Sequence, residues 1–516
     1  MSSADTSAES PPADAAPSTR RRDGIRQLID ALLTLAFAVI LVRTFGVEGY
    51  MISTGSMAPT LPGFHKRVTC PACRYEFAVG ISDGDDPPGS LVGDGADPNP
   101  TAAERPAVCP NCGKHSIAVS ALPRNQGDQL LVFKNAFGFR KPRRWEVVVF
   151  RNPSKPTQAY VKRAVGLPGE TVSVKGGDVW INGRRARKNL AQQRAVRILV
   201  YDHNFEPRND PSWKPRWLPD EETGWKRDGH GFAIGRDNAS SRSKTSWVTY
   251  RHWIRGYGLH ETTIDVPSDL TLDFANPSLF PVKFDAETRR LRHQGVLSDD
   301  ARDRIARVYA DRRFRRLIHQ LAERSHLAPV NDEYGYNRNR NGHQPVPVRD
   351  VMLACDVTFR GGIGKFFVEL TDGASRYRLT IDVGTRDVLL YSDDGRQPLR
   401  RAKLKADVLA ETLHVEMSLF DRQVLAAVNG HALFKPLAAP ELPQGVSATR
   451  TPARFGATGL SARVDGLRTF RDIYYTQKGR GKEMRLSDEQ YFVLGDNSPI
   501  SADSRVWPEA AVDSRL

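Results

Sequence analysis

The sequence lacks several signatures that would redirect its reading. Its twelve histidines form no HExxH or similar spacing, which leaves no assignment of a catalytic metal or of a Ser-His-Asp triad. No RNA- or DNA-binding motif accompanies the net charge of +15, and Lys and Arg are spread along the whole chain. Nucleic acid is therefore not an expected partner, and basic residues near an anionic lipid surface explain the charge more simply. Long apolar runs are absent except one, Ala31 to Val42. Cysteine is limited to five residues, four of them in two CxxC pairs. The fifth, Cys355, lies in an apolar strand pattern and reads as a buried core thiol.

What is present begins with length: 516 residues with 40% apolar content exceed one small core and suggest two or three domains. The most informative feature is a serine, Ser56, in MISTGSMAPTL directly after the apolar run, and a lysine, Lys162, in AYVKRAVGLPGE. A serine hydroxyl needs a base within hydrogen-bond reach, and a neutral lysine amine can serve. Lysine titrates near ~10.4, so bringing it to ~7 to 8 means holding it in a desolvated pocket at a cost of roughly 4 kcal/mol. In the strand-like run from Ala159 to Leu167, Lys162 shares a face with Tyr160 and Ala164, while Val161, Arg163 and Val165 point the other way. Gly55 and Pro59 flank Ser56 and suit a turn that aims its hydroxyl outward. Thr54 can supply a hydroxyl to a developing oxyanion beside the Ser56 amide.

Taken in order, five stretches resemble the bacterial type I signal peptidases, membrane proteases that remove signal peptides from exported proteins. VRTFGVEGYMI, Val42 to Ile52, looks like the exit from the membrane helix, and STGSMAPTL matches the nucleophile box. GDQLLVFK with WEVVVFRNP looks like the strands of the substrate-binding region, YVKRAVGLPGE the general-base box, and LGDNSPISADSR the last box. The resemblance implies Ser56 as nucleophile and Lys162 as general base. It also implies Ser501 as the hydroxyl that orients the lysine, and Asp503 with Arg505 as a supporting charged pair. Where the family usually has an Arg-Asp pair after GDN, this chain reads Ser498, Pro499, Ile500, which predicts a rearranged support. The family also tends to continue into a further apolar strand where this sequence reads AVDSRL, so a closing strand is expected from elsewhere or is missing.

The apolar run extends to about Val47 if Arg43 snorkels, and reads as a transmembrane signal anchor. Arg20, Arg21, Arg22 and Arg26 precede it, which places the N-terminus in the cytoplasm and the catalytic residues outside the cytoplasmic membrane. A cleaved signal peptide fits less well, because no small-x-small pattern follows before the nucleophile box. Residues 1 to 23 read as a cytoplasmic N-terminus whose Ser, Ala, Pro and Asp composition predicts disorder.

Cys70, Cys73, Cys109 and Cys112 form two CxxC knuckles, the arrangement of a zinc ribbon with tetrahedral sulfur ligation. A pair of disulfides is the alternative, since the topology places these thiols in an oxidising compartment. Either role is structural, and no cofactor is expected for catalysis. Ile81 to Pro100 between the knuckles reads as a loop.

After TVSVKGGDVWINGRRARK, a hairpin-like continuation of the core, the chain departs from the protease pattern until roughly Tyr475. Ser298 to Arg324 predicts one helix capped by Ser298. From Arg349 onward, successive strand-like runs suggest antiparallel hairpins of a β-sandwich, with Leu413, Val415, Met417 and Leu419 closed by Asn429-Gly430. The last run resembles the closing strands of concanavalin-like or laminin-G-like jelly rolls, which leaves a glycan or protein ligand open. His65 beside the nucleophile box reads as a surface residue.

The expected fold class is mainly β: a transmembrane helix, an all-β catalytic core of signal-peptidase type, an inserted zinc ribbon and an inserted jelly-roll sandwich. The expected segments are the anchor at 24 to 47, core at 48 to 69, 121 to 194 and 477 to 516, the ribbon at 70 to 120 and the large insertion at 195 to 476. The expected function is a membrane-bound serine endopeptidase acting on exported preproteins, with the lipid bilayer as its other partner. The substrate would lie extended beside Met51 and Gly127 to Phe133, with the alanine-like preference that the resemblance implies. The alternatives are an inactive membrane-anchored binding module that displays the sandwich, or a narrow-specificity processing protease docked by the insertion.

Overall fold

The structure, a computed structural model, describes residues 19–81, 106–152, 155–221, 224–235, 245–256, 258–270, 279–337, 344–393, 395–478 and 483–507. The N-terminal segment before residue 19, most of the loop between the knuckles and the final residues from 508, where a closing strand was in question, lie outside the described residues. The described chain is mainly β and divides into two compact units.

The first unit comprises residues 1–50 with 129–142. Its helix Thr19–Leu41 ends in a π-helical turn, Val42–Gly46, and Gly24–Thr44 is long and apolar enough to cross a membrane. Leu32, Leu33, Leu35 and Phe37, which point around the helix, are all exposed, the pattern of a helix whose apolar side chains find no core among the described residues. Strand Val47–Met51 pairs with Gln129–Phe133, and Lys134 reaches Glu48 at 3.1 Å. Leu131, Phe133 and Phe139 project unburied from this unit.

The second unit holds residues 51–128 and 143–516, so the long insertion belongs to the same compact body as the nucleophile and base segments. Strand Lys155–Gly166 sits between Val147–Asn152 and Phe492–Leu494, which joins the base box to the last box across more than three hundred residues of chain. The predicted hairpin is present: Thr171–Lys175 pairs with Asp178–Ile181 through a turn in which Gly176 and Gly177 have φ of 60° and 92°.

Two long strands, Val351–Thr371 and Ala453–Arg471, organise the insertion by pairing antiparallel along most of their length. Their two ends take different partners. Val351 to Val357 pairs with Leu413–Phe420, whereas Lys365 to Thr371 pairs with Arg376–Asp382. One strand passes through Gly361 and Gly362 with register shifts, and Gly362 at φ 90° accommodates the bend. The bend brings Leu353, Val415 and Met417 into one core with Leu379, Leu390, Trp217 and Phe455. Cys355 is fully buried there, as its apolar context implies.

Three local expectations need correction. The hairpin of Leu413–Phe420 and Gln423–Val428 is closed by Asp421-Arg422, both at positive φ, while Asn429-Gly430 turns the next hairpin. Asp421 is held in that turn by Lys188, whose amine is 2.7 Å from its carboxylate, a tertiary contact that local turn preference does not report. The single helix from Ser298 is two, Asp299–Ala306 and Arg312–Ser325; Ser298 caps the first, and Asp311 accepts from the Arg313 amide at 2.6 Å to start the second. His65 is 3% exposed, because strand His65–Thr69 pairs with Glu76–Gly80 and residue 65 also bridges to Asn125.

The aromatic centre of the core makes a direct test. Phe455 lies with ring centroids 5.5, 5.2, 5.9 and 6.3 Å from Trp217, Trp225, Phe232 and Phe366. Phe455→Ala is expected to lower unfolding free energy by about 3–5 kcal/mol, read from the urea midpoint of the unit. A loss below about 1 kcal/mol would mean that this cluster does not carry the core.

Candidate active site

The nucleophile segment is a tight turn pinned by the residues around it. Met57 and Ala58 are buried, the Ala58 amide donates to the Gly55 carbonyl at 3.1 Å, and Leu61 closes back on Met57 at 2.9 Å. Ser56 is left half-buried at the edge of the turn. Its carbonyl accepts from the Asn497 amide at 3.0 Å, and the Asn497 side chain donates to the Gly55 carbonyl at 2.9 Å. The last box therefore grips the nucleophile turn through its backbone and leaves the hydroxyl free for chemistry.

Lys162 reaches that hydroxyl from the central strand. Residue 162 pairs with Val148, and the period-two alternation places it on the face of Tyr160, with its ammonium position 5.3 Å from that ring. Nζ donates to Ser56 Oγ at 2.9 Å and to the Val161 carbonyl at 3.1 Å. Lys162 is 4% exposed, and burial pulls its pKa down to about 8 against the attraction of Asp503 and Asp496.

Both of those carboxylates are already neutralised. Arg163, on the opposite face of the same strand, donates to Asp496 through Nε at 2.8 Å and Nη2 at 2.5 Å. Arg505 makes a two-armed contact with Asp503 at 2.8 and 2.6 Å, and the Gly495 amide adds a third donor at 3.0 Å. Burial raises the Asp503 pKa, but the Arg505 hydrogen bonds and charge outweigh it and hold the carboxyl below its ordinary range. Arg505 also donates to the Ser498 hydroxyl at 2.8 Å and to its carbonyl at 3.1 Å. Ser498, where the family pattern has a charged pair, thus serves as an acceptor for Arg505.

The remaining expected residues fall as follows. Thr54 Oγ1 lies 3.4 Å from Ser56 Oγ and is exposed. Ser501 is 1% exposed, and its hydroxyl makes no hydrogen bond among the described residues, so it does not reach the lysine amine here. A Cβ at residue 495 would meet both the Ser501 hydroxyl and the Ser56 carbonyl, so glycine at 495 is what lets these groups approach. Lys478 was not anticipated. It donates to the Ser501 carbonyl at 2.9 Å, and burial, with repulsion from Arg505, lowers its pKa to about 8. Its sequence neighbourhood carries no motif that would have exposed it.

The four knuckle cysteines converge. Cys70 and Cys112 approach to 3.6 Å between sulfurs, as do Cys73 and Cys109, and all four sulfurs lie within 4.8 Å of one another. Tetrahedral ligation with metal-sulfur bonds of about 2.3 Å requires sulfur separations of about 3.8 Å. Both knuckles end in a left-handed residue, Arg74 at φ 66° and Gly113 at φ 70°, so they share one backbone form. The donor set fits a closed structural zinc, and all four cysteines are free thiols in the structure.

Comparison with known proteins agrees with the sequence motifs. Residues 116–246 match the family model "Signal peptidase, peptidase S26", a range that contains Lys162 but neither Ser56 nor the last box. Signal peptidase I of Leptolyngbya laminosa is 44% identical over 73 residues, 13% of this chain and 36% of that protein. Signal peptidase I of Pseudomonas aeruginosa is 40% identical over 140 residues, 23% of this chain and 49% of that protein. The chain thus spans half or less of the length of these relatives. Among solved structures, a carbohydrate-binding module, CBM66 from Bacillus subtilis, is 12% identical with a TM-score of 0.19, covering 23% of this chain and 74% of that one. In its motifs and over these partial matches, the chain is similar to the type I signal peptidases of peptidase family S26.

Proposed function

We propose that this chain is a membrane-tethered serine endopeptidase that removes N-terminal signal peptides from exported preproteins with a Ser/Lys pair. The observation that carries the proposal is the 2.9 Å approach of a buried lysine amine to a half-exposed serine hydroxyl. The apolar helix Gly24–Thr44 would span the cytoplasmic membrane, with the arginines before it on the cytoplasmic side and the protease outside.

The chemistry follows from protonation. Above its pKa, Lys162 is a neutral amine that accepts the Ser56 proton while Oγ attacks the scissile carbonyl. The resulting ammonium donates that proton to the leaving amine as the peptide bond breaks, and the amine, neutral again, activates water to hydrolyse the acyl-enzyme. Thr54 Oγ1, beside Ser56, is the side-chain donor available to the oxyanion. Small alanine-like residues before the cut are the preference that the family resemblance implies.

We further assign Cys70, Cys73, Cys109 and Cys112 to a structural zinc that ties the segment after the nucleophile turn to the insertion. The Asn111 side chain, inside the second knuckle, accepts from the Asp202 amide at 2.7 Å, and Arg255 donates to the Cys112 carbonyl at 3.1 Å. With four protein sulfurs the site would be closed to water, so its contribution is to stability.

Cleavage of a labelled preprotein by the full chain in detergent is expected to disappear in Ser56→Ala and Lys162→Ala. In the wild type kcat should rise with pH through an apparent pKa near 8, because the depressed lysine loses its proton there rather than at ~10.4. Cleavage retained by either variant would overturn the Ser/Lys assignment. For the metal, elemental analysis of protein purified without chelator should give one zinc per chain, lost in Cys112→Ser with a lowered Tm. Metal-free protein whose thiols react only after reduction would instead establish disulfides.

A further inference from the structure

One short turn of the long insertion reaches the active site. Gly335–Asn337 is a 3-10 turn, closed by the Asn337 amide donating to the Tyr334 carbonyl at 3.0 Å. Three side chains leave it toward the nucleophile. The Tyr334 hydroxyl donates to the Asp496 carbonyl at 2.8 Å. The Tyr336 hydroxyl donates to the Phe64 carbonyl at 3.1 Å, and its ring covers Gly55 so closely that a Cβ at residue 55 would collide with it. Asn337 pairs with Asn497 reciprocally: its amide donates to Asn497 Oδ1 at 2.8 Å and its Oδ1 accepts from Asn497 Nδ2 at 2.6 Å.

That pairing completes a closed set of hydrogen bonds. Asn497 is fully buried, and its Nδ2 has two hydrogens, one given to the Gly55 carbonyl and one to Asn337. Its main-chain amide holds the Ser56 carbonyl. Asn337 therefore fixes the rotamer of the group that grips residues 55 and 56. Without it, Asn497, itself fully buried, keeps one donor and one acceptor unpaired. The turn is itself anchored from the far side, where buried Arg471 lies 4.6 Å over the Tyr334 ring and donates to the Asp332 and Glu333 carbonyls at 3.1 and 3.0 Å.

We infer that Tyr334–Asn337 is a brace supplied by the insertion for the Ser56 turn, with Asn337 and Tyr336 as positioning residues for the nucleophile. The inference rests on the Ser/Lys protease reading. Neither side chain is placed on the reacting atoms. Asn337 acts through Asn497, and Tyr336 through the backbone at Gly55. A turn that loosens by a fraction of an ångström lengthens the path from Oγ to Nζ and lets water reach the amine.

The test is steady-state cleavage of a labelled preprotein by full-length variants in detergent, with circular dichroism to fix the folded fraction. Asn337→Ala should lower kcat by about tenfold to a hundredfold with KM within about twofold of wild type. The apparent pKa of kcat should move up by about half a unit or more, as the amine regains hydration. The charges facing Lys162 are unchanged by this substitution: Asp496 with Arg163, Asp503 with Arg505, and Lys478 behind Ser501. Loss of folded protein alone would lower kcat without moving that pKa. Should Asn337→Ala fail to fold, Tyr336 decides. Tyr336→Ala should lose rate as above, and Tyr336→Phe, which keeps the ring over Gly55, should recover most of it. Folded variants with wild-type kcat and pH profile, beside a wild type whose cleavage depends on Ser56, would overturn the brace and leave the protease reading intact. A wild type that cleaves no preprotein would overturn both.

Discussion

Lys162 is an amine buried between two carboxylates that other cations have already claimed, Asp496 by Arg163 and Asp503 by Arg505. Desolvation disfavours its charged form, and neither acid is free to form an ion pair with it, so the balance tips toward a neutral base. Were either arginine missing, the orphaned carboxylate would pull the lysine back toward its ordinary range. The two arginines are therefore part of the apparatus that keeps the lysine reactive, although neither touches Ser56. This explains why strand Lys155–Gly166 carries adjacent basic residues with opposite tasks: Lys162 faces the hydroxyl, and Arg163 on the other face occupies the acid.

The same logic of buried charge fastens the insertion to the segments that carry Ser56 and Lys162. Lys188 is buried between Asp421 and Asp472, at 2.7 and 2.6 Å, and both acids belong to the insertion. Burial raises the Asp472 pKa to about 7, while Lys188, although fully buried, is held charged by its two partners. Arg194 and Arg197 converge on buried Glu416 in the same region. Breaking one partner of such a group leaves an uncompensated buried charge, at a cost of about 3–5 kcal/mol. An insertion secured this way is not a removable appendage, and excising it would strip the segments that carry Ser56 and Lys162 of neutralising partners as well as of the turn at Tyr334–Asn337.

Much of the site was legible because its chemistry is local. The alternation around Lys162, the turn residues around Ser56 and the two CxxC knuckles each sit within a few residues, and the family resemblance supplied their order. What escaped the sequence is long-range. Asn337 meets Asn497, 160 positions further along the chain, from a stretch, EYGYNRNRNG, that has no apolar periodicity and no motif. Lys478 is notable only once Arg505 is beside it. Asp421-Arg422 is an unpromising hairpin turn until Lys188 supplies its partner, and the helix from Ser298 breaks where Asp311 offers a second cap. His65 looked polar and therefore exposed, whereas its Nδ1 sits 2.8 Å from the Gly63 carbonyl inside a hairpin. For Asn337, Lys478 and Asp421 the deciding contact joins residues that no local window contains, whereas Asp311 and His65 bond two residues away and were misread locally.

The central claim is that Lys162 is poised near neutrality in the resting protein, and direct titration of its side chain tests it. With 15N-lysine protein in micelles, the account predicts two side-chain amines titrating near 8, one absent in Lys162→Ala and the other in Lys478→Met. If the resonance assigned to Lys162 titrates instead near ~10.4, the amine is hydrated and charged at neutral pH, and the account of the site is wrong.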